Sequence, residues 1–446
     1  MKTPICDFVR DYAASGTTRL HMPGHKGASV LGMESLDITE IDGADSLYEA
    51  DGIIAESERN AGELFGANTF YSTEGSSQCI RAMLCLAMLH ARGQGIERPL
   101  IAAGRNAHKT FLSAVALLDL DVTWLYPDTD GSYLSCAVTA GDVARCIESE
   151  HPTALYLTGP DYLGNTVDIA AIAEVCHRYG VLLLVDNAHG AYLKFLTPSR
   201  HPMDLGADIC CDSAHKTLPV LTGGAYLHIA RHAPAMLAQE AKRALAMFGS
   251  TSPSYLILQS LDAANRVLTE GYPEALAALS ARVGNCRARL EEHGYACAGD
   301  EPIKLTLCPK SYGYRGSELA QILRERGIEC EFADPDYLVL MFTPAITAED
   351  TSRLTEILMN IPRREAITET PPAASRPVRV MSVRSAAFSH SETLPVSACV
   401  GRVLAAATVG CPPAVPIVVS GERIDEWAVA QFAYYGIETC VIVRER

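Results

Sequence analysis

The chain of 446 residues holds fifteen cysteines and not one C-x-x-C pair, so the spacing that zinc ribbons and redox motifs require is missing. Cys210 and Cys211 sit side by side in an apolar segment, which fits buried thiols in a reducing compartment and implies no disulfide framework. Positive charge is short as well: 37 lysines and arginines face 53 aspartates and glutamates, a formal net charge of −16. That balance argues against nucleic acid and against anionic membrane surfaces, and it is compatible with a cationic small molecule. Long apolar runs are lacking too. Ile80 to His90 and Val181 to Val185 fall well below the roughly 20 residues that span a bilayer, so no membrane segment is expected. Met1 to Arg10 carries no long apolar run, so no secretory signal is expected and the expected location is cytoplasmic. One spacing suggests a metal: His21 and His25 at i, i+4. Pro23 and Gly24 between them keep the two imidazoles off one helical face, and no acids or thiols cluster with them, so no metal is implied.

What is present is a chain long enough for at least two cores, since a typical domain takes roughly 100 to 200 residues. Strand-like and helix-like apolar patterns alternate along it, which reads as α/β. Residues 1–60 read as an N-terminal arm and lid segment, 61–260 as a doubly wound large domain and 261–367 as a smaller mixed domain. In that smaller domain Ala275 to His293 and Ser317 to Arg326 read as helices, and Ile303 to Leu307 and Tyr337 to Phe342 as strands. Thr368 to Val378, with Pro371, Pro372 and Pro377, reads as a linker to a final module over 380–446. No internal repeat is visible.

Four short motifs carry chemistry. Lys216 closes Ser213-Ala214-His215-Lys216, after the segment Ala207 to Cys211 and before Thr222-Gly223-Gly224. Partial desolvation beside apolar strands lowers an amine's pKa and suits it to imine formation with an aldehyde. Upstream, Val181 to Val185 reads as a buried parallel strand ending in Asp186, and open α/β sheets bind ligands beyond the carboxyl ends of their strands. Asp186 and Lys216 are therefore candidates for one crevice, where an acid suits the protonated nitrogen of a pyridine ring. Gly75, Ser76 and Ser77, just before the apolar segment Ile80 to His90, suit a phosphate at a helix start. His108, within Arg105 to Thr110, offers a flat imidazole to stack on the ring. An aldehyde, a pyridine ring and a phosphate together describe pyridoxal phosphate. Singly, each motif has an ordinary alternative: a solvated surface position for Lys216, a strand-end cap for Asp186, an N-cap for the glycine-serine run, a helix cap or core position for His108.

In this order the motifs resemble those of pyridoxal-phosphate enzymes with the aspartate aminotransferase fold, fold type I. More narrowly, the chain resembles the ornithine/lysine/arginine decarboxylase family. The resemblance is carried by His21-Met22-Pro23-Gly24-His25-Lys26-Gly27, Asp37 to Asp45, the Gly75 loop, His108-Lys109, Asp161-Tyr162-Leu163-Gly164, Asp186-Asn187-Ala188-His189-Gly190, Ser213 to Lys216 and Ser252-Pro253-Ser254-Tyr255. It implies a mostly parallel sheet domain with a smaller α+β C-terminal domain, and the short form of the family without an N-terminal wing domain.

The resemblance further implies that Lys216 carries the cofactor, Asp186 faces the pyridine nitrogen and His108 stacks on the ring. Gly75, Ser76, Ser77, Ser213 and His215 would serve the phosphate and the surroundings of the lysine, and Ala188 would pack under the ring. His189 is expected near the substrate carboxylate, Glu422 at the positive end of the substrate, and Tyr255 reaching into the site of a second subunit of a homodimer or larger homo-oligomer. The implied reaction is decarboxylation of lysine, arginine or ornithine to carbon dioxide and the polyamine-type amine, with Lys216 or His215 returning the proton. Which of the three amino acids is used stays open.

Departures from the family pattern are Cys411, Ala414 and Ser420 near the C-terminus, where members usually carry Tyr-Pro-Pro-Gly and then Pro-Gly-Glu, and Cys79 and Ile80 after the phosphate loop. An aminotransferase or an aldolase stays open, because the same ring, lysine and aspartate serve all three reactions. A more remote alternative is a non-catalytic, cofactor-binding regulator. The retained Lys216 and Asp186 speak against it.

Overall fold

The computed structural model describes residues 1–126, 132–372, 376–407 and 413–445. The fold is α/β, with a large, mostly parallel seven-stranded sheet and two smaller sheets of four and three strands. The large sheet is built from β1 (Asn68–Ser72), β2 (Leu100–Gly104), β3 (Asp121–Leu125), β4 (Ala154–Thr158), β5 (Leu182–Asp186), β6 (Ile209–Asp212) and β7 (Ala225–Ile229).

The chain forms two compact units. The first comprises Met1–Ile101, Ile147–Gly159 and Asp168–Glu274. Here the strand order is β1-β7-β6-β5-β4, with β4, β5 and β6 parallel and β7 antiparallel to both β6 and β1. Every residue of β5, β6 and β7 is buried, so these strands read as continuous apolar runs rather than alternating ones. The expected strand over 207–211 starts two residues later and ends on Asp212, whose side chain is bonded inside the fold. The expected helix over 80–90 begins at Gly75 and runs to Gly93. Before β5, the helix Ile169–Tyr179 starts where the Asp168 carboxylate accepts the Ala171 amide, a side-chain cap that satisfies one of the free donors of the first turn.

The second unit comprises Ala102–Cys146, Pro160–Val167 and Ala275–Arg446. In it β3 lies beside β2. A four-stranded antiparallel sheet has the order β10-β11-β9-β8, from β8 (Ala296–Ala298), β9 (Lys304–Cys308), β10 (Phe332–Ala333) and β11 (Leu338–Met341). A three-stranded one has the order β12-β14-β13, from β12 (Ser391–Pro395), β13 (Leu404–Ala406) and β14 (Thr439–Val443). Cys440 and Ile442 alternate inward along β14 and join Leu404, Ile417, Ile424 and Phe432 in the core of this module. Residues 102–146, expected within a large domain over 61–260, group with the C-terminal half.

Candidate active site

In the first unit, Asp186 is the last residue of β5 and pairs in register with Cys211 of β6. Five positions after Cys211 stands Lys216, in the one-turn helix Ala214–Thr217. The lysine was expected on a tight turn. The chain winds into a helical turn because the Lys216 amide donates to the Ser213 carbonyl at 3.0 Å and the Leu218 amide to Ala214 at 2.8 Å. Both groups thus sit at the carboxyl ends of adjacent parallel strands, the edge where open α/β sheets bind ligands.

The Asp186 carboxylate is 2 % exposed. Among the described residues its hydrogen-bond partners are all neutral: the Tyr156 hydroxyl donates to Oδ2 at 2.8 Å, the Ala188 amide to Oδ1 at 3.2 Å, and the Cys211 thiol to Oδ1 at 3.6 Å. Tyr156 is fully buried in β4, and burial together with the Asp186 charge pushes its phenol well above the usual range, so it stays a donor. The Lys216 amine lies 3.0 Å from His189 Nε2. A protonated amine donates to that nitrogen when the imidazole is neutral with its proton on Nδ1. The resemblance implies a place for His189 near the substrate carboxylate; in the fold its Nε2 lies against the Lys216 amine.

Two further loops converge on this edge. The Gly75 amide donates to the Gly223 carbonyl at 2.7 Å, and the Gly224 carbonyl accepts from the His215 amide at 3.2 Å and stands 3.1 Å from His215 Nδ1. The glycine-serine loop and the Ser213–Lys216 segment are therefore tied to the same pair of residues. Gly75 has φ 69°, a conformation that glycine enters without steric cost, and an added Cβ there would meet nothing within 4 Å. This is open space at the start of a 19-residue helix, where Ser76 and Ser77 are half-buried. Cys79 and Ile80 turn into the core, away from the open side. Burial pushes the His215 imidazole below its usual 6.5, the Gly224 carbonyl pulls it back in part, and the Lys216 charge adds to the depression. A neutral ring whose Nδ1 proton goes to Gly224 is a poor proton donor. Ser213 is buried, its hydroxyl 3.5 Å from the same Nδ1.

Behind these groups lies a network the sequence did not reveal. Asp212, fully buried, accepts from His201 Nε2 at 3.0 Å, His228 Nε2 at 3.1 Å and Asn187 Nδ2 at 2.7 Å. Burial raises the Asp212 pKa, but the two imidazoles outweigh it and hold the carboxyl well below the usual range. Burial dominates at His228 and lowers it, so a neutral imidazole donates to an ionised acid. The Asn187–Asp212 bond ties the residue after Asp186 to the residue before Ser213, and so fixes the two strand ends against each other. Gly190 completes the turn, because a Cβ there would fall 2.0 Å from Asn187 Oδ1. The missed signal was polar residues, Tyr156 and Asp212, inside otherwise apolar strands.

Tyr255, expected to reach a second subunit, packs within its own chain. It is fully buried, and its hydroxyl donates to the Asp45 carbonyl at 2.6 Å and the Ala44 carbonyl at 3.2 Å. Asp45 in turn accepts the amides of Gly52 and Ile54 at 2.9 Å, so this tyrosine anchors the turn that starts the helix Ile53–Phe65.

His108 and Glu422 belong to the second unit. His108 caps the helix Lys109–Leu118, its Nδ1 accepting the Thr110 amide at 3.1 Å, which is the capping alternative weighed above. Glu422 is 1 % exposed and accepts from Arg105 at 3.0 Å and from the Val419 amide at 2.8 Å. The same guanidinium donates to the carbonyls of Pro416 and Ile417 at 3.1 and 2.8 Å and lies over the Trp124 ring. The expected role of Glu422 at the positive end of the substrate meets a carboxylate already paired within its own unit. Ala414, where family members usually carry glycine, has φ 56°, the left-handed region that glycine occupies most easily, and Ser420 is buried beside Gly421. Cys411 lies outside the described residues.

Residues 3–290 match the family model described as Orn/Lys/Arg decarboxylase, major domain. The chain is 30 % identical to an arginine decarboxylase of Bacillus subtilis (strain 168), covering 95 % of this chain and 92 % of that protein. It is 29 % identical to an arginine decarboxylase of Halalkalibacterium halodurans, covering 95 % and 91 %. Among solved structures, a lysine decarboxylase of Francisella novicida superposes with a TM-score of 0.81 at 15 % identity, over 99 % of this chain and 81 % of that one, which shows a shared fold. The chain belongs to the Orn/Lys/Arg decarboxylase family and is a carboxy-lyase of basic amino acids.

Proposed function

We propose that the chain decarboxylates arginine, with pyridoxal phosphate carried on Lys216. The observation that carries this reading is the pairing, at one sheet edge, of a lysine amine with a buried carboxylate whose hydrogen-bond partners are all neutral. The donor set suits the cofactor: a carboxylate with uncompensated charge for a protonated ring nitrogen, an amine for the aldehyde, and an open helix start for the phosphate. When bound, the cofactor acts as an electron sink for the bond that breaks. Asp186 holds negative charge against the ring nitrogen, and Tyr156 and the Ala188 amide hold Asp186 in place. Gly75, Ser76 and Ser77 receive the phosphate, with Ser213 and His215 on the neighbouring segment. Ala188 underlies the ring. Lys216 would return a proton to the substrate carbon after carbon dioxide leaves, and His189, bonded to the amine, would pass a replacement proton from solvent to the lysine. For His108 the support is the family resemblance alone. Arginine is favoured over lysine and ornithine by the two whole-length relatives named arginine decarboxylase.

A homodimer in the cytoplasm belongs to the same reading. Leu20, Met22, Val30 and Leu31 are 68 to 90 % exposed on the N-terminal arm, more apolar surface than a solitary chain usually leaves in water. The test is carbon dioxide release from L-arginine, L-lysine and L-ornithine by the cofactor-loaded protein, with Lys216→Ala beside it. Release from arginine that Lys216→Ala lowers by about 10³-fold or more is expected. Release from lysine or ornithine alone would overturn the substrate, and covalent borohydride trapping that persists in Lys216→Ala would overturn the lysine.

A further inference from the structure

The amino end of β6 carries a second cluster, which the reaction does not use. Asp208, directly before β6, lies between His177, in the last turn of the helix Ile169–Tyr179, and His232, in the turn after β7. Asp186 and Asp212 mark the other ends of the parallel strands β5 and β6. A four-residue strand, about 13 Å long, therefore separates Asp208 from the edge where Lys216 sits.

The geometry of the cluster is specific. His177 Nε2 stands 3.3 Å from both Asp208 oxygens, Oδ1 and Oδ2, and His232 Nε2 stands 3.5 Å from Oδ1. One donor atom from each of the three residues lies within 4.8 Å of the others. A charge-assisted N–H···O bond closes to about 2.7–2.9 Å, so the His177 contact is a long hydrogen bond and the His232 contact is longer still. They match a different figure. Tetrahedral bonds of about 2.0–2.1 Å from an ion to imidazole nitrogen and carboxylate oxygen set neighbouring ligand atoms roughly 3.3–3.4 Å apart. The other carboxylate oxygen, Oδ2, accepts the Leu183 amide at 2.7 Å, which orients the acid in the way outer hydrogen bonds orient metal ligands. The Asp208 side chain is 5 % exposed, whereas those of His177 and His232 are 41 % and 50 % exposed, so an ion has an entry path and room for water.

We infer that His177, Asp208 and His232 form a binding site for a divalent ion of the zinc class, completed by water on the solvent side. Two imidazoles and one carboxylate are a donor set that zinc accepts in tetrahedral geometry. The ion ties together the end of one helix, the start of β6 and the turn after β7. Its distance from Lys216 and Asp186 makes it a structural or regulatory site rather than part of the decarboxylation.

The test uses chelator-washed holoenzyme, titrated with zinc sulfate by calorimetry and with cobalt(II) by visible absorption. One equivalent per chain, with a Kd on the order of 1 μM, and the intense visible bands of tetrahedral cobalt are expected. The double variant His177→Ala/His232→Ala loses the bands and binds zinc at least about tenfold more weakly, with kcat unchanged. The single variant His232→Gln, at a half-exposed side chain that leaves the fold intact, repeats the loss in smaller measure. No saturable zinc binding by the holoenzyme would overturn the inference. So would binding that is equally tight in the variants, since it would then lie at other histidines such as His21 and His25.

Discussion

Asp186 in the first unit and Glu422 in the second are both almost completely buried acids, and the sequence assigns a ligand to each. Their surroundings differ in one respect. Asp186 is held by a phenol, an amide and a thiol, none of which carries charge, so its full negative charge stays available to a cationic partner. Glu422 is held by the Arg105 guanidinium, which takes up that charge, while the Val419 amide takes part of what remains. Burial of a carboxylate does not by itself mark a ligand; the charge of its nearest donors decides whether it has anything left to offer.

That contrast can be broken. Asp186→Asn keeps the shape and removes the charge, and kcat for the preferred amino acid should fall by about 10²–10³-fold in steady-state assays, the scale of losing one preorganised electrostatic contact. A loss under threefold would mean that Asp186 is only a strand-end cap. Glu422→Gln strands the Arg105 guanidinium, so unfolding in urea should show about 3 kcal/mol less stability, while KM for arginine changes less than about threefold. A tenfold rise in KM with stability intact would reverse the comparison and return Glu422 to the substrate.

The network behind the site sharpens the picture. Asp212→Asn keeps a bond to Asn187 within reach but removes the carboxylate that accepts from His201 and His228. What ends is the set of hydrogen bonds that the ionised carboxylate accepts from two imidazoles, not an ion pair, so a loss of about 2 kcal/mol in urea is expected, with weaker cofactor retention as Asp186 and Lys216 lose their fixed spacing. Retention equal to that of the parent chain would show that the two strand ends need no such tie. The smallest effect is on acid stability. His215 and His228 both have folded pKa values pushed below the usual 6.5, so between 6.5 and those lowered values the unfolded chain binds more protons than the folded one. Stability is complete above about pH 6.5 and declines as pH falls through that window, at about 1.4 kcal/mol for each unit of pKa depression. His228→Gln should flatten the dependence of the urea midpoint on pH between 7.5 and 5, and an unaltered slope would show that His228 takes no part.

Much of the architecture was legible. The run Val181 to Val185 meets the observed strand β5 to within one residue at each end, and Ile80 to His90 lies within the helix Gly75–Gly93, because a segment buried on most sides is largely apolar. Ser317 to Arg326 and Tyr337 to Phe342 agree with the observed helix and strand to within two residues. Less visible was what long-range pairing decides. Residues 102–146 read as part of one continuous large domain, yet they group with the C-terminal half. Tyr255 sits in a Ser-Pro turn that looks free to reach outward, but its hydroxyl closes on Ala44 and Asp45, more than two hundred positions away.

The order of the glycine-serine loop, His108, Asp186 and Lys216, and the apolar runs that carry them, was written in the sequence alone, since residue type and local periodicity already select strand, helix start and reactive group. Tertiary structure decided which polar groups neutralise one another. The Arg105–Glu422 pair, the His189–Lys216 contact and the Asp212 network join residues from separate strands and loops, and the strength of a buried charge depends on neighbours that only the folded chain brings within hydrogen-bond distance.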